Sequence, residues 1–175
     1  MSGGDSKHEE RELPRYWPGP PFPAQRYVPG QVPHAQKPSQ VGARAPWDGN
    51  ESTLRTAPGF LWGVDLYNHG FYWEAHEEWE ELWKQAAARS SARYFLQGLI
   101  QCAAASLKGS SEQWTACQTL GEKGLSKLAK VRTAPDAHYQ GLDLRKYVDC
   151  FRAYCTALSA KHPPPQILLE LTTVS

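Results

Sequence analysis

The 175-residue chain is short of sulfur: it holds four cysteines and one methionine. Cys102, Cys117, Cys150 and Cys155 form no C-x-x-C pair and no ladder of metal-type spacings, so they read as free thiols of a reducing compartment. Charge of one sign is equally scarce. The formal net charge is +1, with seven basic and six acidic side chains in residues 1–59 and twelve of each beyond. A balanced chain without a basic block lacks the electrostatic footprint of non-specific nucleic-acid binding. Long apolar runs are missing too. Met1–Glu12 is polar, with no apolar stretch of signal-peptide length. Tyr94–Leu107, the longest mostly apolar segment, is broken by two glutamines and a glycine and falls short of the roughly 20 residues of a membrane span. The expectation is a cytoplasmic protein with neither membrane nor nucleic acid as partner. No G-x-S-x-G, glycine-rich phosphate loop or cysteine with an obvious histidine base is present, which leaves nucleophilic catalysis without support. Sustained alternation in β-branched runs is absent, so no sheet is expected.

What the chain does have is unevenly distributed. Ten of its fourteen prolines precede residue 60, in a stretch poor in aliphatic residues, and this unevenness accounts for the low mean hydropathy of −0.59. Residues 1–59 are therefore read as an extended, Pro-rich arm, because proline removes backbone donors and biases its predecessor toward extended geometry. Tyr16, Trp17, Phe22, Tyr27 and Trp47 are interleaved among the prolines. Disordered segments tend to lack aromatics, so part of the arm should lie in a groove of its own domain or of a partner. Residues 60–175 are read as a second unit of common domain size.

From Leu61 onward the periodicity is helical. The first helix runs from Leu61 to His69, with Gly70 placed to end it as a left-handed cap. A second spans about Phe71–Ala87. Ser90 or Ser91 caps a third, about Ala92–Lys108. Ser110 and Ser111 cap a fourth, about Glu112–Val131, with Ser110 and Gln113 at capping-box spacing. Pro135–Gly141 is a loop, and Asp143 caps a fifth helix to about Lys161, where Pro163–Pro165 stop it. Short connections favour antiparallel neighbours, so the fold class is all-α: an antiparallel bundle of about five helices. The fourth and fifth helices carry apolar stripes (Cys117, Leu120 and Leu128; Leu144, Tyr147, Phe151 and Cys155) that read as core.

The second helix holds the chemistry. At about 100° per residue, Tyr72, Trp79, Trp83 and Ala87 fall near His76, whereas Glu74, Glu77, Glu78 and Glu81 lie opposite as a solvated face. Glu80 lies about 40° from His76, on the aromatic side. Four-residue spacing brings the two within side-chain reach, and a buried carboxylate must find a partner, bind something or take a proton. A His76–Glu80 pair is therefore expected. It is either a structural pair that fixes helix packing or part of a site whose titration depends on its surroundings. On the third helix, Arg93, Gln97, Gln101 and Lys108 form a narrow polar strip on an otherwise apolar cylinder. The strip either faces water or turns toward His76 and Glu80, where the amides can satisfy both groups.

Leu66–Trp83 followed by Phe95–Gln101 resembles domain of unknown function 309, a family marked by an H-x-x-x-E-x-x-W motif and a downstream Q-G-x-x-Q segment. His76, Glu80 and Trp83 match the first motif, and Gln97, Gly98 and Gln101 the second, within a resemblance that spans about Phe60–Leu128. It implies an all-α bacterial or archaeal protein with an undefined ligand site. Many members have a further histidine after the second motif. The stretch Trp114–Gln118 lacks it, which counts against a metal. Some members also carry an upstream segment similar to Tyr27–Gly30 with Pro33 and His34.

Three functions compete. In the first, His76, Glu80, Gln97 and Gln101 hold a small polar ligand or a partner's chain segment between the helices, walled by Trp79 and Trp83. In the second, His76 and Glu80 serve a metal-dependent hydrolase. Here Glu77, at the general-base position of an H-E-x-x-H helix, points away, and His69 and His138 offer themselves as a third ligand with no spacing argument behind them. In the third, the chain is an interaction scaffold. The residues favour binding over catalysis, call for no cofactor or metal, and leave the oligomeric state open.

Overall fold

The computed structural model describes residues 13–19, 21–28, Gly30, 46–133, 136–157 and 166–172. A 3₁₀ turn, Glu51–Thr56, leads into five helices: α1 (Pro58–Asn68), α2 (Tyr72–Gln85), α3 (Ser91–Ser110), α4 (Trp114–Leu128) and α5 (Leu144–Ala157). The fold is mostly helical, as expected, with α3 at its centre. Helix α3 packs on α2 along one side and on α4 along another, while α1 packs on α2 and α5 on α4. Phe95, Leu96, Leu99, Cys102 and Ala103 of α3 are wholly buried, and Phe60 of α1 lies 5.9 Å from Phe95, ring centre to ring centre. Among the described residues no helix is long and apolar enough to cross a membrane. All four cysteines are free, and only Cys150 is exposed.

The local signals behave as their chemistry dictates. Gly70 has φ +79°, and around it the Phe71 N–H bonds to the Leu66 carbonyl (2.8 Å) and the Gly70 N–H to the Tyr67 carbonyl (3.0 Å). That double bond pattern closes α1 and lets the chain turn sharply into α2. Ser90 caps α3 by accepting from the Arg93 N–H at 3.1 Å, and Asp143 caps α5 by accepting from Lys146 at 3.0 Å. The stripes of α4 and α5 bury Cys117, Leu128, Leu144, Tyr147, Phe151 and Cys155.

Two expectations fail. Ser110 does not cap α4: α3 runs through it, its hydroxyl donates back to the Leu107 carbonyl at 2.8 Å, and Gln113 stands at the N-cap with no side-chain bond to the helix, its amide oxygen accepting from Lys108 instead (3.1 Å). The absence of strands is also wrong in detail. His138–Tyr139 (β1) and Leu142–Asp143 (β2) form an antiparallel hairpin, and Leu142 bridges to Leu171. Strands of two residues are too short to display alternation, and the turn is made by Gln140 and Gly141, both at positive φ (51° and 86°), the backbone form a two-residue hairpin requires. The expected end of α5 near Lys161, Pro163–Pro165 and the Pro33–His34 segment lie outside the described residues.

The described part of the arm lies on the protein's own helices. Asp65 of α1, wholly buried, accepts the backbone N–H groups of Tyr16 and Trp17, each at 2.8 Å. Phe22 stacks on Trp62 and Phe71, and Arg26 donates to the His69 carbonyl at the end of α1 (2.8 Å), where a cation suits the helix dipole. One turn beyond Asp65, buried Asn68 holds Leu169 by both backbone groups, donating at 2.9 Å and accepting at 2.8 Å. The Leu171 N–H then meets the Tyr16 hydroxyl at 3.0 Å. Two buried polar residues of one helix thus tie down the segments before and after the bundle.

Candidate functional site

The five-residue connection after α2 turns the chain back, and α3 returns beside α2 as an antiparallel neighbour. Their register is pinned at one end by Arg93. Its guanidinium donates to the carbonyls of Trp83 (3.0 Å) and Ala86 (2.9 Å) and lies 4.1 Å over the Trp83 ring. This caps the last turn of α2 with a cation and adds a cation–π contact. From that pin, one turn along each helix brings Glu80 level with Gln97, and a second brings His76 level with Gln101. Arg93, Gln97 and Gln101 of the polar strip are half-buried, whereas Lys108 at its far end donates to Gln113 at 3.1 Å.

The seam is poorly satisfied. His76 Nδ1, Trp83 Nε1 and Gln101 Oε1 are buried atoms with no hydrogen-bond partner. A buried donor or acceptor left unpaired costs about 1–3 kcal/mol, and native proteins carry few of them. Among the described residues two further atoms share this condition, Glu74 Oε2 and the Tyr139 hydroxyl, so four of the five belong to α2 and α3.

The expected His76–Glu80 pair is not made. The His76 ring tilts toward Trp73, 5.4 Å away, and its nearest carboxylate is that of Glu77, 3.9 Å from Nδ1. Glu80 stays half-buried with no hydrogen bond or ion pair among the described residues, and feels the charge of Lys84 one turn on. Trp79 is no wall of this seam. It is wholly buried with its indole N–H on the Phe60 carbonyl at 3.3 Å, facing α1 at Gly63, where a Cβ would run into the indole. The tryptophan is the packing core of the α1–α2 contact, and glycine is what lets α1 approach it.

The acids placed on a solvated face divide. Glu81 is exposed and pairs with Lys84 at 2.9 Å. Glu74, Glu77 and Glu78 are half-buried, and at Glu74 the cover is the arm. The Tyr27 N–H donates to Glu74 at 3.0 Å, and the Tyr27 ring meets Trp73 edge-on at 5.0 Å. Burial raises the Glu74 carboxyl above its ordinary value, against the opposing pull of the Tyr27 N–H. The same holds for Asp65, where burial outweighs the two N–H donors.

Neither proposed third ligand reaches His76. His69 Nδ1 lies 2.7 Å from the Asp65 carbonyl and its ring packs on Phe22, and His138 pairs with Asp136 at 3.3 Å. Among the described residues no three His, Cys, Asp or Glu side chains stand together as a metal centre would need. A cavity of about 350 Å³ opens elsewhere, between Arg55, the β1–β2 hairpin and Thr172; His138 lines it, but none of His76, Trp79, Glu80, Trp83, Gln97 and Gln101 does.

Residues 60–120 match the family described as Domain of unknown function (DUF309). The match covers 61 of the 175 residues. A search of curated proteins finds no match for the chain. The DUF309 segment takes in nearly all of α1, all of α2 and α3, and about half of α4. It thus contains the whole His76–Gln101 seam together with Asp65 and Asn68, and leaves out the arm, the hairpin and α5. The arm's contacts with Glu74 and Trp73 were invisible to helical periodicity. The aromatics at Tyr16, Trp17, Phe22 and Tyr27 were the signal that such contacts exist.

Proposed function

We propose that the seam between α2 and α3 is a binding site for a small polar ligand, with Trp83, His76 and Gln101 supplying the contacts and Glu80 and Gln97 lining the approach. The observation that carries this reading is the set of three buried, unpartnered atoms. An indole N–H can only donate and an amide oxygen can only accept, so the ligand must present an acceptor to Trp83 and a donor to Gln101. The imidazole serves either need according to its tautomer. A purely structural seam would be expected to satisfy these groups within the protein. Trp79 is left out of the site, since its N–H is already used.

Nitrogen-15 spectra of the full chain test the reading, with the Trp83 indole signal assigned by its loss in Trp83→Phe. Titration with a set of small amides, ureas, alcohols and amines is expected to shift that signal saturably for at least one compound. The shift should vanish in Gln101→Leu. A signal unmoved by every compound, or moved equally in Gln101→Leu, overturns the proposal.

A further inference from the structure

The cavity of about 350 Å³ beside the hairpin is separate from the α2–α3 seam, and every residue lining it falls outside residues 60–120. Three segments distant in sequence meet there: Arg55 near the end of the 3₁₀ turn, the β1–β2 hairpin with Asp136 just before it, and Thr172. Hydrogen bonds fix their junction. Arg55 Nη2 donates to the Thr172 carbonyl (2.7 Å) and hydroxyl (3.2 Å), and the Thr172 N–H donates to the Gly141 carbonyl at 2.8 Å. The guanidinium lies so close to Gly141 that a Cβ there would stand 3.0 Å from Nε. A hollow of this volume, held open by the fold itself, is at the small end of the range for small-molecule sites.

The lining carries one fixed charge of each sign, and the two do not meet. Among the described residues, Arg55 uses a single guanidinium nitrogen, on Thr172, and pairs with no carboxylate. Asp136 is engaged by its neighbour His138, whose backbone N–H reaches Oδ1 at 3.1 Å and whose Nδ1 stands 3.3 Å from Oδ2. Nδ1 also lies 3.2 Å from the Asp136 carbonyl, which can only accept, so this nitrogen carries a hydrogen. A neutral imidazole so placed orients the carboxylate without cancelling its charge, and a carboxylate keeps about four acceptor positions, of which these contacts use two. We infer that the cavity takes a small zwitterion, a carboxylate and an ammonium on one molecule, as in a free α-amino acid. The carboxylate goes to the unused N–H groups of Arg55, and the ammonium to Asp136. A simple anion meets the repulsion of Asp136 and a simple cation that of Arg55, so the cavity favours a molecule that carries both charges.

Three probes that differ by one charged group test this: L-alanine, propionate and ethylammonium. Each is titrated into the full chain at constant ionic strength, with the His138 imidazole signals, assigned by their loss in His138→Gln, as readout. L-Alanine is expected to bind about tenfold more tightly than ethylammonium, which lacks the carboxylate. Its advantage over propionate, which lacks the ammonium, should be about fivefold, because Asp136 is exposed. Arg55→Gln should bring L-alanine down to the level of ethylammonium, and Asp136→Asn down to that of propionate. Asp136 takes no part in the bonds that join the three segments, so Asp136→Asn decides the matter if Arg55→Gln loosens the cavity. Propionate or ethylammonium binding as tightly as L-alanine overturns the inference, as does a zwitterion preference that survives in Asp136→Asn. The absence of a saturable shift with all three probes overturns it too, and each of these results leaves the α2–α3 reading standing.

Discussion

Two polar seams run through this bundle, and they are built on opposite terms. Along α1, Asp65 and Asn68 are buried side chains whose oxygens and amide are all matched: Asp65 by the N–H groups of Tyr16 and Trp17, Asn68 by both backbone groups of Leu169. Between α2 and α3, one end is equally well made by Arg93, but His76, Trp83 and Gln101 each bury an atom with nothing to bond. Burying polar groups is tolerable when their hydrogen bonds are replaced and costly when they are not. The first seam therefore works as a structural clasp for the chain's outlying segments. The second carries a standing cost that the folded protein alone does not recover, which is the physical ground for assigning it a ligand.

The comparison is open to attack at both seams. The largest effect is expected on α1. Asn68→Ala strands the N–H and carbonyl of buried Leu169 and should cost about 2–4 kcal/mol in urea-induced unfolding. A loss below about 0.5 kcal/mol would mean that the C-terminal segment is not clasped as described. Next comes the satisfied end of the second seam. Arg93→Met removes two charge-assisted bonds to the terminal carbonyls of α2 and the stacking on Trp83, and should cost about 1–2 kcal/mol. An unchanged unfolding midpoint would place that arginine outside the energetics of the helix pair.

The smallest effect concerns pH. Burial makes Glu74 hold its proton more tightly in the folded chain than in the unfolded one. Such a group contributes stability below its ordinary value of 4.5 and loses that contribution as pH rises through the higher folded value. Glu74→Gln keeps an oxygen for the Tyr27 N–H without the charge. It should match the wild type near pH 4 and exceed it by about 0.5 kcal/mol at pH 7, where a deficit would reverse the sign of the account.

Much of the fold was legible because its signals are local. Gly70 ends α1, Ser90 starts α3 and Asp143 starts α5 through side chains or backbone freedom that need no distant partner. Helical stripes likewise identified Cys117, Leu128, Tyr147 and Phe151 as interior. What failed was long-range. A helical wheel puts Glu74 in water because it contains only α2, whereas the arm, some 47 residues upstream at Tyr27, covers it. It sets Trp79 beside His76, but the missing side chain at Gly63 lets α1 draw the indole into the core. The His76–Glu80 pairing was a sound inference from four-residue spacing, yet the ring turns to Trp73 instead. Trp83, Gln97 and Gln101 were recognisable from spacing and from the family resemblance. That atoms of Trp83 and Gln101 would be buried without partners is a property of packing, which no motif records.

The most direct measurement compares the unfolding midpoint of ligand-free, dialysed wild type with that of Gln101→Leu, which replaces the orphaned amide by an apolar side chain of similar size. If the seam is kept polar for a ligand, the leucine variant unfolds at the same midpoint or a higher one. A drop comparable to that of Asn68→Ala would mean that Gln101 is bonded within the protein, and would contradict the reading of the α2–α3 seam as a binding site.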